Sequence, residues 1–319
     1  MTIRALLLVL AALVAAPAAL ADGGIVPAAQ LGPGIVSPDG GTRYIAAPNG
    51  SNTSLLAIST KDGEVTQDAP VDGSYGIPLL AASPQTYAGL STDGRTLVLA
   101  DTQLLADSHF LVYDTKTFRM KDAFFLKGSF AYDAMSPDGS MLYLIEHPYS
   151  NDLQHYIVRA YDLRTDRLLS GRIADRTQKS WVMEGTALTR VTSPGGRYVY
   201  TLYENPGGYP FVHALDTVRG VAHCIGLPWT NLTNQTALWN VVLSVHGSRL
   251  AVGWRSGRRW LSIDTRTWSV SPDRRGGFPW LWLGVGLAAA AALAGAVRPL
   301  LRRRGTRRAA PSGAPARAT

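Results

Sequence analysis

Ser136-Pro137-Asp138-Gly139, leading into Met141-Leu142-Tyr143-Leu144, is the stretch that decides the fold. It recurs. Ser37-Pro38-Asp39-Gly40 leads into Tyr44-Ile45, and Ser91-Thr92-Asp93-Gly94 into Leu97-Val98-Leu99. Ser193-Pro194-Gly195-Gly196 leads into Tyr198-Val199-Tyr200, and Ser244-Val245-His246-Gly247 into Leu250-Ala251-Val252. In this pattern Pro presets φ at the second turn position, Asp bonds its own local backbone, and Gly accepts positive φ at little cost. Each copy therefore reads as a tight turn followed by a β-strand.

A second element recurs 20 to 26 residues after each turn serine. Val112-Tyr113-Asp114-Thr115-Lys116-Thr117 returns as Ala160-Tyr161-Asp162-Leu163-Arg164-Thr165, as Ala214-Leu215-Asp216-Thr217 and as Ser262-Ile263-Asp264-Thr265-Arg266-Thr267. In the first repeat Ala57-Ile58-Ser59-Thr60 takes this place, with serine for aspartate. The flanking runs are short, aromatic or β-branched, and have no helical periodicity. Each repeat thus predicts four short antiparallel strands, A to D, with the first turn joining A to B and the second joining C to D. One such sheet cannot bury both faces alone, whereas radial stacking covers each sheet with its neighbours.

The alternation of Ser-Pro-Asp-Gly-x-x-Leu-Tyr with Tyr-Asp-x-x-Thr resembles the YVTN and WD40-like β-propeller repeats of exported bacterial proteins, over about residues 34 to 272. The resemblance implies an all-β propeller, with five blades expected and a sixth admitted if residues 22–34 and 268–277 supply strands. It implies little about function, because propellers serve as binding modules, as scaffolds, as lactonases or hydrolases and as subunits of redox enzymes.

Both ends of the chain read as membrane machinery. Residues 1–21 carry a charged start at Arg4, an apolar core from Ala5 to Ala15 and a small-x-small site at Ala19-Leu20-Ala21, the pattern of a cleaved signal peptide. Residues 278–297 hold no charge and suffice to cross the hydrocarbon core, with Trp280 and Trp282 at one edge and arginines from Arg298 onward at the other. The expected order is signal peptide (1–21), extracytoplasmic propeller (22–277), single transmembrane helix (278–297) and basic cytoplasmic tail (298–319). The predicted location is the cytoplasmic membrane of a bacterium, with the propeller outside. The net charge of +8 belongs to these ends: Arg4 and the seven arginines from Arg298 account for eight of the 31 basic residues, leaving 23 against 23 acids. Basicity is then no argument for nucleic-acid binding, and no nucleic-acid partner is expected.

Nothing in the sequence marks a reaction. It contains no His-Glu-x-x-His, no Gly-x-Ser-x-Gly, no P-loop and no dinucleotide fingerprint. No cofactor, metal ligand set or catalytic residue is predicted. His147 and His155 flank one loop and could meet across a hairpin, but solvated loop histidines are the ordinary case. Cys224, the only cysteine, reads as a buried thiol or as half of an intermolecular disulfide.

The repeated turns occupy one face of the disc, so sequence variety gathers on the other, in the B–C and D–A loops. Those loops hold His147, Tyr149, Trp181, Glu184, Tyr209, Trp229, Asn231, Trp239 and Arg255. Aromatics beside amides and charges suit a ligand or partner surface. The competing reading packs the tryptophans between blades or in the central channel. The expected function is a membrane-anchored binding module for an envelope protein, a glycan or another ligand, with a propeller enzyme or a purely structural scaffold as alternatives. N-terminal sequencing of the membrane-extracted protein should begin at Asp22; a chain that keeps Met1 would mean an uncleaved anchor.

Overall fold

A computed structural model describes residues 27–273, apart from 83–84, 150–151, 176 and 178–181. The expected signal peptide, transmembrane span and tail lie outside the described residues, as does Trp181. The chain divides into two units, Met1–Pro272 and Asp273–Thr319.

The first unit is an all-β propeller of antiparallel sheets, with no α-helix among the described residues. A two-residue strand, β1 (Ala28–Ala29), precedes the first sheet of β2 (Ile35–Val36), β3 (Thr42–Asn49), β4 (Asn52–Ser59) and β5 (Val65–Val71). The second sheet draws on β6 (Tyr75–Ala82), β7 (Gln85–Tyr87), β8 (Thr96–Asp101), β9 (Asp107–Asp114) and β10 (Arg119–Lys127). The third contains β11 (Ser129–Met135), β12 (Met141–His147), β13 (His155–Asp162), β14 (Arg167–Leu168) and β15 (Met183–Glu184). The fourth is β16 (Thr186–Thr192), β17 (Tyr198–Glu204), β18 (Phe211–Asp216) and β19 (Val221–Gly226). The fifth is β20 (Val241–His246), β21 (Arg249–Trp254), β22 (Arg259–Asp264) and β23 (Val270–Pro272).

Alternation along single strands shows how the sheets stack. On β8, Leu97 and Leu99 join an apolar cluster with Tyr44 and Leu55 of the first sheet, while Val98 and Ala100 join one with Leu142 and Leu144 of the third. On β12, Tyr143 turns away from Leu142 and Leu144 to pack with Val199 and Leu215 of the fourth sheet. On β17, Val199 and Tyr203 face the third sheet, and Tyr200 and Leu202 face Leu250 and Val252 of the fifth. Successive side chains on a strand point to opposite faces, so each of these sheets is sandwiched between two others. The inner strands are accordingly buried on both faces, and the outermost strands β5 and β10 are mostly exposed. Each fully buried Leu or Val contributes ~1.5–3 kcal/mol.

Four of the five first turns follow the sequence reading. The Ser37 hydroxyl donates to Asp39 Oδ1 at 2.5 Å and accepts from the Thr42 amide at 2.9 Å. Ser91–Asp93 and Ser136–Asp138 repeat the bond at 2.6 Å. The Ser37 and Ser136 hydroxyls hold the Asp39 and Asp138 carboxyls below their ordinary range. In every sheet the backbone amide that opens the second turn donates to the first turn: Thr60 to Gly41, Thr115 to Arg95, Leu163 to Ser140, Thr217 to Arg197 and Thr265 to Ser248, all at 2.8–3.1 Å. Both turns therefore share one face. The fifth first turn departs from the expected one. Ser244 pairs with Ala251 inside the sheet, and the reversal falls on Gly247-Ser248 between the paired His246 and Arg249. Gly247 has φ +59°, which a two-residue hairpin requires.

Four residues after each Ser59, Asp114, Asp162, Asp216 or Asp264 the backbone is left-handed: Gly63, Phe118, Asp166, Gly220 and Trp268. For a non-glycine this costs about 1–2 kcal/mol. Packing offsets the cost at two of them. Phe118 stacks on Tyr44 of the preceding sheet at 6.4 Å, and Trp268 meets Tyr198 of the preceding sheet edge-on at 5.8 Å.

The centre is filled from the second sheet. The segment between β5 and β8 contains the β6–β7 hairpin. Only Tyr75 and Gly76 of β6 pair with β8; beyond them β6 lies beside β3, β11 and β16, strands of three other sheets. β1 pairs along it, Ala28 opposite Pro78 and Ala29 opposite Ile77. A Cβ on Gly76 would come within 2.6 Å of the Ala29 backbone, so glycine is needed where the N-terminal segment crosses.

Beside this plug lies one buried ion pair. Arg190 on β16 bonds Asp133 on β11 at 2.7 Å, and its second nitrogen bonds the Asp133 carbonyl at 2.5 Å. The side chains are 6% and 5% exposed. Removing one partner strands a buried charge, so Arg190→Leu should lower unfolding stability by about 3–5 kcal/mol. The double change Arg190→Met/Asp133→Leu should recover much of that loss in urea titrations.

Candidate loop-face site

On the face opposite the turns a cleft of about 390 Å³ opens between the third and fourth sheets. Met183 and Glu184 of β15 form one wall; Asn205, Tyr209 and Phe211 form the other, with Cys224 of β19 and Asp175 at the base. Two of the candidate residues, Glu184 and Tyr209, meet here.

Glu184 is not in a free loop. β15 lies along the edge of β13, with Glu184 opposite His155 and Met183 opposite Tyr156. His155 is clasped by Asp152 at 2.5 Å and by Glu184 at 3.3 Å. The Asp152 hydrogen bond raises the His155 pKa. His147 takes a different part. It is buried at the end of β12 against Tyr156, burial lowers its pKa, and its Nδ1 has no hydrogen-bond partner among the described residues. The two histidines flank the β12–β13 connection without forming a ligand set, and the described residues hold no group of three potential metal ligands.

The fourth sheet's B–C loop and the segment leading to the fifth sheet act as one body. Gln235, 2% exposed, donates to the carbonyls of Asn205 and Gly208 at 2.8 and 2.9 Å and accepts from the Asn205 amide at 2.8 Å. The Gly207 amide donates to Leu232. Trp239 reaches Glu204 through its indole N–H at 3.0 Å. Asn231 closes its own loop, accepting from Thr233 and the Asn234 amide. Gln235 thus ties Asn231 and Trp239 to the loop bearing Tyr209. Nothing in the sequence singled Gln235 out, because a buried glutamine in a polar loop has no composition signal.

Tyr209 is 58% exposed and Trp239 37%. Tyr149 is also exposed. Trp229 is half-buried: its indole N–H donates to the Asn234 carbonyl and its ring packs edge-on to Trp260 at 5.5 Å. Arg255 sits on the β21–β22 connection, where its amide donates to Asn240. His147 and Arg255 do not line the cleft.

Behind the cleft floor the chemistry is quiet. His213 Nδ1 lies 3.6 Å from Cys224 Sγ. Burial pushes the thiol up to about 12, so no thiolate nucleophile forms near neutral pH. Burial also lowers His213 to about 4, leaving it a neutral imidazole. Asp175 accepts from the Cys224 amide at 2.7 Å and pairs with His223 at 2.9 Å. Burial opposes its ionisation, but these bonds and those from Thr177 keep its pKa low. The site offers two exposed aromatic rings, amides and accepting carboxylates, which suit stacking and hydrogen bonding to a polar ligand.

The chain matches no known family profile and none of the curated proteins. Among solved structures it is similar to hydrazine synthase of Kuenenia stuttgartiensis, at 16% identity and TM-score 0.38 over 78% of this chain and 80% of that one. It is similar to TolB from Acinetobacter baumannii at 13% identity and TM-score 0.39, over 70% of this chain and 51% of TolB. An oligogalacturonate lyase in complex with manganese matches at 9% identity and TM-score 0.47, over 79% and 67%. These likenesses are too distant to carry an activity across.

His213 gives a pH test of the buried region. Its folded pKa lies below the unfolded value of 6.5. The unfolded chain therefore takes up a proton that the folded chain refuses, and stability falls as pH drops from about 6.5 to 4. The loss should be on the order of 2–3 kcal/mol by urea unfolding, and His213→Phe should flatten that part of the profile.

Proposed function

We propose that this chain is a bacterial, membrane-anchored extracytoplasmic propeller that binds an envelope protein or glycan through its loop face. The observation that carries the reading is the Gln235-tied assembly of Tyr209, Trp239 and Asn231 beside the Glu184 wall of the cleft. Exposed aromatics held on a rigid base can be buried by a ligand at low entropic cost, and such residues dominate binding energies. The signal-like and span-like ends support the location, and the repeated Ser-Pro-Asp-Gly and Asp-x-x-Thr turns support kinship with the YVTN-type repeats.

Capture from detergent-solubilised membranes with the full-length chain tests the reading, supplemented by a glycan array. Tyr209→Ala and Trp239→Ala should each weaken capture by about tenfold or more, and Glu184→Gln by less, with the fold intact. Equal capture by all three variants, or no partner of either class, would overturn it.

A further inference from the structure

The fifth sheet carries a second cluster of exposed charge and aromatic rings. Its β21–β22 connection, with the strand ends, reads Trp254-Arg255-Ser256-Gly257-Arg258-Arg259-Trp260. Three arginines and two tryptophans fall within seven residues that hold no acid, in a body whose charges balance as a whole. Arg255, Arg258 and Arg259 are exposed. Trp254 and Trp260 are half-buried 5.9 Å apart, and Arg258 lies 4.9 Å over the Trp254 ring. The aromatic base is fixed by the core beneath it, since Trp229, Trp254 and Trp260 all pack on the cluster of the fourth and fifth sheets. The loop therefore sets three exposed arginines beside half-buried indoles.

Its place in the fold says what it meets. β23 pairs with β22 so that Pro272 lies opposite Leu261, the residue after Trp260. The chain thus leaves the last sheet on the loop face, beside this platform. Five residues, Asp273-Arg274-Arg275-Gly276-Gly277, separate Pro272 from Phe278. Fully extended, they reach about 20 Å.

We infer that the Trp254–Trp260 loop docks on the lipid headgroup surface of the membrane in which the chain is anchored. The inference rests on the proposed transmembrane span at 278–297. Arginines attract the phosphates of anionic lipids, each adding about fivefold to affinity near such a surface. Indole rings settle at the boundary between headgroups and hydrocarbon. A short tether raises the effective concentration of that surface, so weak contacts suffice. The cleft itself lies between the third and fourth sheets.

The test uses the full chain reconstituted in phosphatidylcholine vesicles with and without phosphatidylglycerol. An environment-sensitive fluorophore is placed at Ser256→Cys, in a Cys224→Ser background, and at Ser37→Cys on the turn face as reference. Quenchers attached at the lipid headgroup should quench the Ser256 label several-fold more than the Ser37 label, and more strongly with phosphatidylglycerol present. Arg255→Ser/Arg258→Ser/Arg259→Ser should remove the phosphatidylglycerol effect. Without labels, brominated lipids should quench wild-type tryptophan emission more than that of Trp254→Phe/Trp260→Phe. Equal, water-like exposure at Ser256 and Ser37 in a chain that resists carbonate extraction would overturn the docking alone. Release of the chain by carbonate would overturn the anchor and the docking with it. Cross-linking of Ser256→Cys between chains would overturn it in favour of a contact between copies.

Discussion

A β-sheet with apolar residues on both faces must be covered on both, and in this chain only another sheet can do it. Leu97 and Leu99 reach one neighbour while Val98 and Ala100 reach the other. Tyr143 and Leu142 divide the same way, as do Val199 and Tyr200. From that division come the continuous apolar runs of the inner strands, the exposed outer strands and the need for turns short enough to keep the sheets narrow. The turns are then constrained as well. Ser37, Ser91 and Ser136 hold their aspartates, and the second turns are bonded to the first in every sheet.

The repeat and its turns were legible because they rest on local chemistry: proline, aspartate and glycine act within four residues of themselves. The fifth turn misled for a physical reason. Gly247 alone can reverse the chain as a two-residue hairpin, which frees Ser244 to continue the strand. Features that depend on contacts between distant residues were not legible. The left-handed Phe118 and Trp268 are supported by Tyr44 and Tyr198 of other sheets. The β6–β7 hairpin carries no mark that it turns inward to fill the centre, and the Arg190–Asp133 pair joins residues 57 apart.

The candidate site was legible in part. Loop position and residue type pointed to Glu184, Tyr209, Asn231 and Trp239, and Gln235 ties the last three together. Trp229 is half-buried against Trp260, and His147 is a buried side chain whose pKa burial lowers. Both show that an aromatic ring or a histidine in an expected loop is decided by what packs beneath it. The central claim is a division of labour between faces: one face is spent on holding the fold, the other carries recognition.

The most direct measurement is a matched panel of single substitutions on the two faces of the full-length chain, each scored for urea stability and for capture of envelope components. Turn-face changes such as Ser91→Ala and Ser136→Ala should lower stability and leave capture by the folded fraction unchanged. Loop-face changes at Tyr209 and Trp239 should do the reverse. Loss of capture from turn-face variants of undiminished stability would contradict the account.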